Sequence, residues 1–330
     1  LDGVRGSSKT FTNSANLKYE YEGRVYNDPA SDSWTYTVKH KQVKKAAGDN
    51  LEYDQSLNDG AGGYKMKWTV IVNPGVNSWD GTGALDFTGK SVSVVDTLSD
   101  NMIFLPDTLQ AVYETDYQQT MTGVDSVTQN GNELTINLKP FTNHLVTITY
   151  YTQVKDTALQ QSDKVNLENT ADLEVDGEST DSVTAPKDVS TEKISKTGSQ
   201  DRSGSEMHLI HYSVDVNKLA LDLDPTSATL TLSDVLATSL QLVTSSIKVI
   251  DGATGSALAE GDYSYSYDST TRKLTVRVPD ERYVKVYYDV VLNGTIGSSV
   301  TITNTASLSG EYGADSTHED SFQVNEASGT

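Results

Sequence analysis

The chain has 330 residues, 46 acidic and 25 basic, a formal charge of −21 and no cysteine. These numbers exclude a disulfide framework, a thiolate metal site and a cysteine nucleophile. Such an acidic surface also repels phosphate backbones, which argues against nucleic acid as a partner. Apolar residues make up 36% but fall in short runs, so a packed core is expected rather than disorder. No run approaches the roughly 20 apolar residues of a membrane-spanning helix.

Alternating apolar and polar residues predict strands along the whole chain. The segments are Lys67 to Val72, Lys90 to Val95, Leu134 to Leu138, Leu145 to Tyr151, Val165 to Leu173, Leu209 to Val216, Ala228 to Leu232, Leu274 to Val278, Val284 to Leu292 and Val300 to Leu308. Asn-Gly at 130–131 and 293–294, and Asp-Gly at 80–81, 176–177 and 251–252, mark turns between them. No long segment has a helical period. The expected class is all-β, built as β-sandwiches.

The strands repeat as a set. Tyr64 to Asn73 resembles His208 to Asn217, and Ser91 to Leu98 resembles Thr229 to Leu236. Leu145 to Tyr151 resembles Val284 to Val290, and Leu167 to Leu173 resembles Ile302 to Leu308. Two homologous sandwiches in tandem account for this, over 39–188 and 189–330, with a linker near Ala185 to Asp188. A third copy of the last motif lies at Phe11 to Leu17. Residues 1–38 are therefore either the end of a preceding domain or extra strands on the first one.

Three polar residues per repeat share a face with apolar ones. In a strand, residues i, i+2 and i+4 lie on one face. Asp96 follows Val92 and Val94, and Asp234 follows Leu230 and Leu232. Asn169 lies among Val165, Leu167, Ala171 and Leu173, and Asn304 among Val300, Ile302, Ala306 and Leu308. Lys45 shares a face with Val43, and Lys196 with Ile194, leaving Lys44 and Lys193 as alternatives on the opposite face. Buried charges are normally paired. A Lys–Asp ion pair with an Asn hydrogen bond satisfies this pattern, and so does a Lys at a strand end that reaches water.

The ordered motifs are a Tyr-containing strand ending in Val-Asn, then Val-Val-Asp-Thr-Leu, Val-Thr-Ile-Thr-Tyr and Glu-Asn-Thr-Ala. The second copy carries Leu-Ser-Asp-Val-Leu and Thr-Asn-Thr-Ala. Over residues 39–310 this resembles the isopeptide-forming domains of Gram-positive fimbrial and surface adhesin proteins. The resemblance implies Ig-like sandwiches and a structural stalk of an extracellular, cell-wall-anchored adhesin or pilus-like protein. It implies an autocatalytic Lys–Asn amide crosslink in each, Lys45 to Asn169 assisted by Asp96 and Lys196 to Asn304 assisted by Asp234. This is a single-turnover reaction, not enzyme catalysis, and it needs no metal or other cofactor. A host matrix protein or glycan is the implied partner, with wall attachment through regions outside these residues. A first-repeat insertion, about residues 48–63, departs from the pattern. With Lys on the first strand and Asn on the last, such a bond carries tension past the rest of the sheet.

Other signals point less far. His208 and His211 would fall on opposite faces of a strand, which disfavours a metal site. The acidic segments Asn27 to Asp32 and Asp222 to Asp224 read as loops with oxygen ligands but without the spacing of a calcium loop. Trp34, Trp68 and Trp79 raise a sugar platform, with Trp68 expected in the core and Trp79 in a turn. Tyr263, Tyr265 and Tyr267 share one face, suited to sheet packing or to a protein partner. The rival classes are a carbohydrate- or matrix-binding module and an accessory region of a secreted enzyme.

Overall fold

A computed structural model describes residues 8–37, 41–75, 85–114, 120–201 and 203–326. They form two compact units. One comprises the described residues within 1–155 and 166–188, and the other those within 156–165 and 189–330.

Apart from a two-stranded hairpin over 8–37, the first unit has two antiparallel sheets. One orders the strands Glu178–Ser190, Lys164–Val175, Val92–Leu98, Glu133–Leu138 and Val124–Asn130. The other orders Val43–Ala47, Gly63–Val72, Val146–Val154, Met102–Glu114 and Thr120–Thr122. Alternation drives the assembly. Trp68, Val70 and Val72 are fully buried, as are Val94, Leu134, Ile136 and Ile148, while their neighbours along each strand face outward. At roughly 25 cal/mol per Å² of apolar surface, burial of these inward rows is the main favourable term.

The second unit repeats the plan. One sheet orders Ile194–Gln200, Leu209–Val216, Val284–Leu292 and Leu240–Asp251. The other orders Ser264–Asp268, Lys273–Pro279, Thr229–Val235, Ser299–Leu308 and Asp315–Gln323. Val146–Val154 and Val284–Leu292 show the same strict alternation, each beginning and ending on a buried residue. Every strand expected from periodicity is present. The fold is all-β, with tandem sandwiches of Ig-like class.

The Val-Asn that ends a repeated strand has a structural reason. Asn73 and Asn217 are buried with φ of 59° and 53°. Asn tolerates this left-handed conformation better than most residues. Each side chain then pins the next loop. Asn73 Nδ2 donates to Leu85 O at 2.9 Å and its Oδ1 accepts from Leu85 N at 2.8 Å. Asn217 does the same with Leu221, at 2.7 and 2.9 Å.

The insertion at 48–63 leaves the Lys45 register intact. Lys45 pairs with Val70 and Val43 with Val72, and the insert places Glu52–Asp54 further along the same neighbouring strand. Residues 8–37 form a separate hairpin, Ser8–Tyr21 against Arg24–Thr37. Here one expectation is corrected: Asn27 to Asp32 is strand, not an acidic loop. Its side chains alternate between two ribbon faces, so it offers no convergent ligand set.

Candidate functional site

In the first unit, Lys45 comes from the edge strand Val43–Ala47 and reaches inward. Asp96 and Asn169 come from adjacent strands of the facing sheet, where Asp96 pairs with Ala171 and Asn169 with Leu98. Asp96, Asn169 and the Lys45 side chain have no exposed surface. Lys45 Nζ contacts Asp96 Oδ2 and donates to the Tyr150 hydroxyl at 3.0 Å. Asn169 Nδ2 donates to the same hydroxyl at 2.7 Å. The amine and the amide thus share one oxygen between the two sheets. Lys45 Nζ also lies 5.7 Å from the Trp68 ring centre and 5.5 Å from that of Tyr150.

The second unit builds the same group. Lys196 Nζ contacts Asp234 Oδ2 and the Tyr288 hydroxyl. Tyr288 donates its proton to Asp234, and Asn304 Nδ2 donates to Tyr288 at 3.2 Å. Lys196, Asp234 and Asn304 are all at most 5% exposed. Tyr212 replaces Trp68, with its ring centre 4.6 Å from Lys196 Nζ and 5.4 Å from the Tyr288 ring.

Burial sets the protonation. It lowers Lys45 from 10.5 to about 8, against the opposing pull of Asp96. It raises Asp96 above the ordinary carboxylate range, although Lys45, Tyr150 and Asn169 all pull the other way. Both shifts favour a neutral amine beside a carboxylic acid. Lys196 is lowered by the same desolvation. Tyr150 and Tyr288 are raised well above 10 and remain phenols.

Among the described residues, five buried side-chain oxygens lack a partner: Oδ1 of Asp96, Asn169, Asp234 and Asn304, and the Tyr212 hydroxyl. An unpaired buried acceptor costs about 1–3 kcal/mol. The same two atoms are orphaned in both units, on an acid and on an amide carbonyl. Each buried group thus holds one carboxyl oxygen and one amide carbonyl oxygen whose hydrogen-bonding capacity is unused.

The alternative lysines lie elsewhere. Lys44 is exposed. Lys193 is buried but donates to Leu159 O at 2.8 Å and to Ser162 O, at the end of the short helix Asp156–Gln161. Tyr150 and Tyr288 were missed in the sequence. Setting Leu145 against Val284 is one residue out of register. The burial patterns align Val146 with Val284, which puts Tyr150 on Tyr288 at the 138-residue offset that also separates Asp96 from Asp234.

The remaining candidates do not join this site. Trp68 is core, its Nε1 donating to Thr152 Oγ1 at 2.9 Å. Trp34 is exposed on the hairpin, and Trp79 lies outside the described residues. Tyr265 is half-exposed on an edge strand. Asp224 caps its own turn through Thr226. His211 bonds Asp289 at 2.8 Å, and its ligand atom lies within 4.8 Å of those of Asp201 and Glu206. That exposed group could hold a cation, but it excludes His208 and lies apart from the buried cluster.

No family model matches the chain, and no curated protein matches it. Solved structures similar to it include the C-terminal domain of the Streptococcus agalactiae AgI/II polypeptide BspA. That match has 10% identity and TM-score 0.31, covering 85% of this chain and 100% of that one. The C-terminal domain of the Streptococcus pyogenes antigen I/II-family protein AspA matches at 11% and 0.32, covering 86% and 100%. The collagen adhesin CNA from S. aureus matches at 15% and 0.30, covering 78% and 89%. All three are Gram-positive surface proteins.

Proposed function

We propose that this chain is a structural stalk region of an extracellular cell-surface adhesin or pilus-like protein. Its two sandwich domains, 39–188 and 189–330, are each locked by an internal Lys–Asn amide bond. The observation that carries the reading is the duplicated, fully buried Lys–Asp–Asn–Tyr group bridging the two sheets of each unit.

The chemistry follows from the protonation. The neutral Lys45 amine attacks Cγ of Asn169. Negative charge develops on Asn169 Oδ1, and the acid proton of Asp96 stabilises it there. A C–N bond forms to Lys45 Nζ, and the bond from Cγ to Nδ2 breaks. The proton shed by the amine passes through Asp96 to the departing nitrogen, and ammonia leaves. Tyr150, bonded to both nitrogens, orients nucleophile and leaving group. Lys196, Asn304, Asp234 and Tyr288 take the same roles. Folding supplies proximity, for which effective molarities of about 10⁵ M or more are attainable. Each domain reacts once and does not turn over.

The test is the accurate mass of the intact chain with peptide mapping. The proposal requires a deficit of two ammonia molecules, with Lys45–Asn169 and Lys196–Asn304 joined in the digest. Full unmodified mass in folded protein refutes it and leaves ordinary buried polar networks.

A further inference from the structure

The hairpin 8–37 carries the site motif a third time, turned inside out. Phe11-Thr12-Asn13-Ser14-Ala15-Asn16-Leu17 matches Leu167-Glu168-Asn169-Thr170-Ala171-Asp172-Leu173 and Ile302-Thr303-Asn304-Thr305-Ala306-Ser307-Leu308, position by position. In both units the apolar, Asn, Ala and Leu positions are at most 5% exposed. In the hairpin Phe11 is 51% and Leu17 62% exposed, and Asn13 and Ala15 are exposed too.

The cross-strand register puts these residues on one face. Asn13 pairs with Asp32, Ala15 with Ala30, Leu17 with Asp28 and Tyr19 with Tyr26. Tyr19 and Tyr26 stack at 5.0 Å, and Tyr21 ends the row. The opposite face carries Thr10, Thr12, Ser14, Ser31, Ser33 and Thr35. This is the alternation of a sheet with one buried side, yet among the described residues the ribbon pairs only with itself. An isolated two-stranded hairpin is marginal in water. In each complete unit the Asn strand and the strand after it form the same hairpin, at the edge of a five-stranded sheet covered by its partner sheet.

We propose that residues 8–37 are the closing hairpin of a third sandwich, whose other strands lie in polypeptide outside these 330 residues, and that Asn13 is the acceptor for a lysine of that body. The occupant of the apolar face is thus a sandwich missing its last two strands, with a buried Lys on the facing sheet and an acid on the strand that pairs beside Asn13. This rests on the proposed Lys–Asn chemistry. The bond forms from that lysine's Nζ to Asn13 Cγ, the Cγ–Nδ2 bond breaks, and ammonia leaves.

The test uses the natural full-length protein, digested with trypsin and mapped beside the 330-residue chain. The peptide Thr10 to Lys18 should appear joined to a lysine peptide from outside residues 1–330, one ammonia lighter than the sum of the two. Amide hydrogen exchange over 8–37 should be slow in the full-length protein and fast in the 330-residue chain. If Thr10 to Lys18 is recovered free while the Lys45–Asn169 and Lys196–Asn304 peptides are joined, this inference falls and the stalk proposal stands. If all three are free, both fall. If the 330-residue chain instead doubles in mass by light scattering with the hairpin protected, a second copy covers the face and the third sandwich is overturned.

Discussion

Replacing Asn169 by Ala removes the electrophile of the first unit and leaves Lys45, Asp96 and Tyr150 in place. The intact mass should then show the loss of one ammonia instead of two. The energetic effect follows from the loop that the bond closes. Residues 45 to 169 span 124 positions. In the chain-entropy model developed for disulfides, closing such a loop stabilises by about 5 kcal/mol. For a domain of this size, each kcal/mol moves the melting midpoint by about 2–4 °C, so the first unit should melt about 10–20 °C lower. Removing Asn169 also leaves a small cavity with its own cost. Lys45→Met and Asp96→Ala break the same bond from different sides, and the drop common to all three variants is the loop contribution. Calorimetry reads it, with Asn304→Ala identifying the second unit's transition. If wild type has lost two ammonia molecules but the common drop is under about 5 °C, the loop-entropy reasoning is refuted even though the chemistry stands.

Three further outcomes are expected. Lys193→Met should leave both ammonia losses unchanged while destabilising the second unit by about 1–3 kcal/mol, because Leu159 O and Ser162 O lose a buried donor; urea denaturation and intact mass together check this, and a lost crosslink would make Lys193 the nucleophile. Tyr288→Phe should slow bond formation in the second unit without abolishing it, since Lys196 and Asp234 remain in contact, and a mass time course on freshly refolded chain reads the delay. In Asn169→Ala, where the amine persists, the first unit should gain stability as pH rises from about 8 towards 10, because the unfolded Lys45, at 10.5, still binds a proton that the folded one has shed. Tyr150, held protonated in the fold, reverses the slope above about 10. Wild type, its amine consumed, should lack the Lys45 rise, and urea midpoints across this range decide the matter.

The strand pattern was legible because each sheet has one wet face, so period two marks the core directly. The same period exposed Asp96, Asn169, Asp234 and Asn304 as polar residues on apolar stripes. It also favoured Lys45 over Lys44. Tyr150 and Tyr288 gave no such signal, because a tyrosine on a buried face reads as core. Only the cross-strand register shows that their hydroxyls meet the lysine and the asparagine. Lys193 was ambiguous for a different reason. It is as buried as Lys196, but the carbonyls at the end of a short helix satisfy it, and that helix has no strong sequence period.

The place of each asparagine alters the expected path of tension. Asn169 and Asn304 lie on the penultimate strands, not the last ones. A strand therefore remains outside each closed loop, Glu178–Ser190 in the first unit and Asp315–Gln323 in the second. Both are clasped to the lysine strand by polar contacts. Asp181 Oδ2 accepts from Gln42 N at 2.7 Å and Val43 N at 3.3 Å. Gln200 bonds Gln323 in both directions, at 2.7 and 2.8 Å. Pulling on the ends of the first unit should peel Glu178–Ser190 first and then stop at the amide bond. The 124 positions inside the loop stay folded or slack, which withholds about 40–45 nm of contour length at 3.3–3.6 Å per residue. Single-molecule force spectroscopy measures this step. Asp181→Ala should lower the peeling force without lengthening the step, whereas Asn169→Ala should restore the missing length. A wild-type first unit that extends to its full contour would show that no covalent bond joins Lys45 to Asn169 in the folded chain.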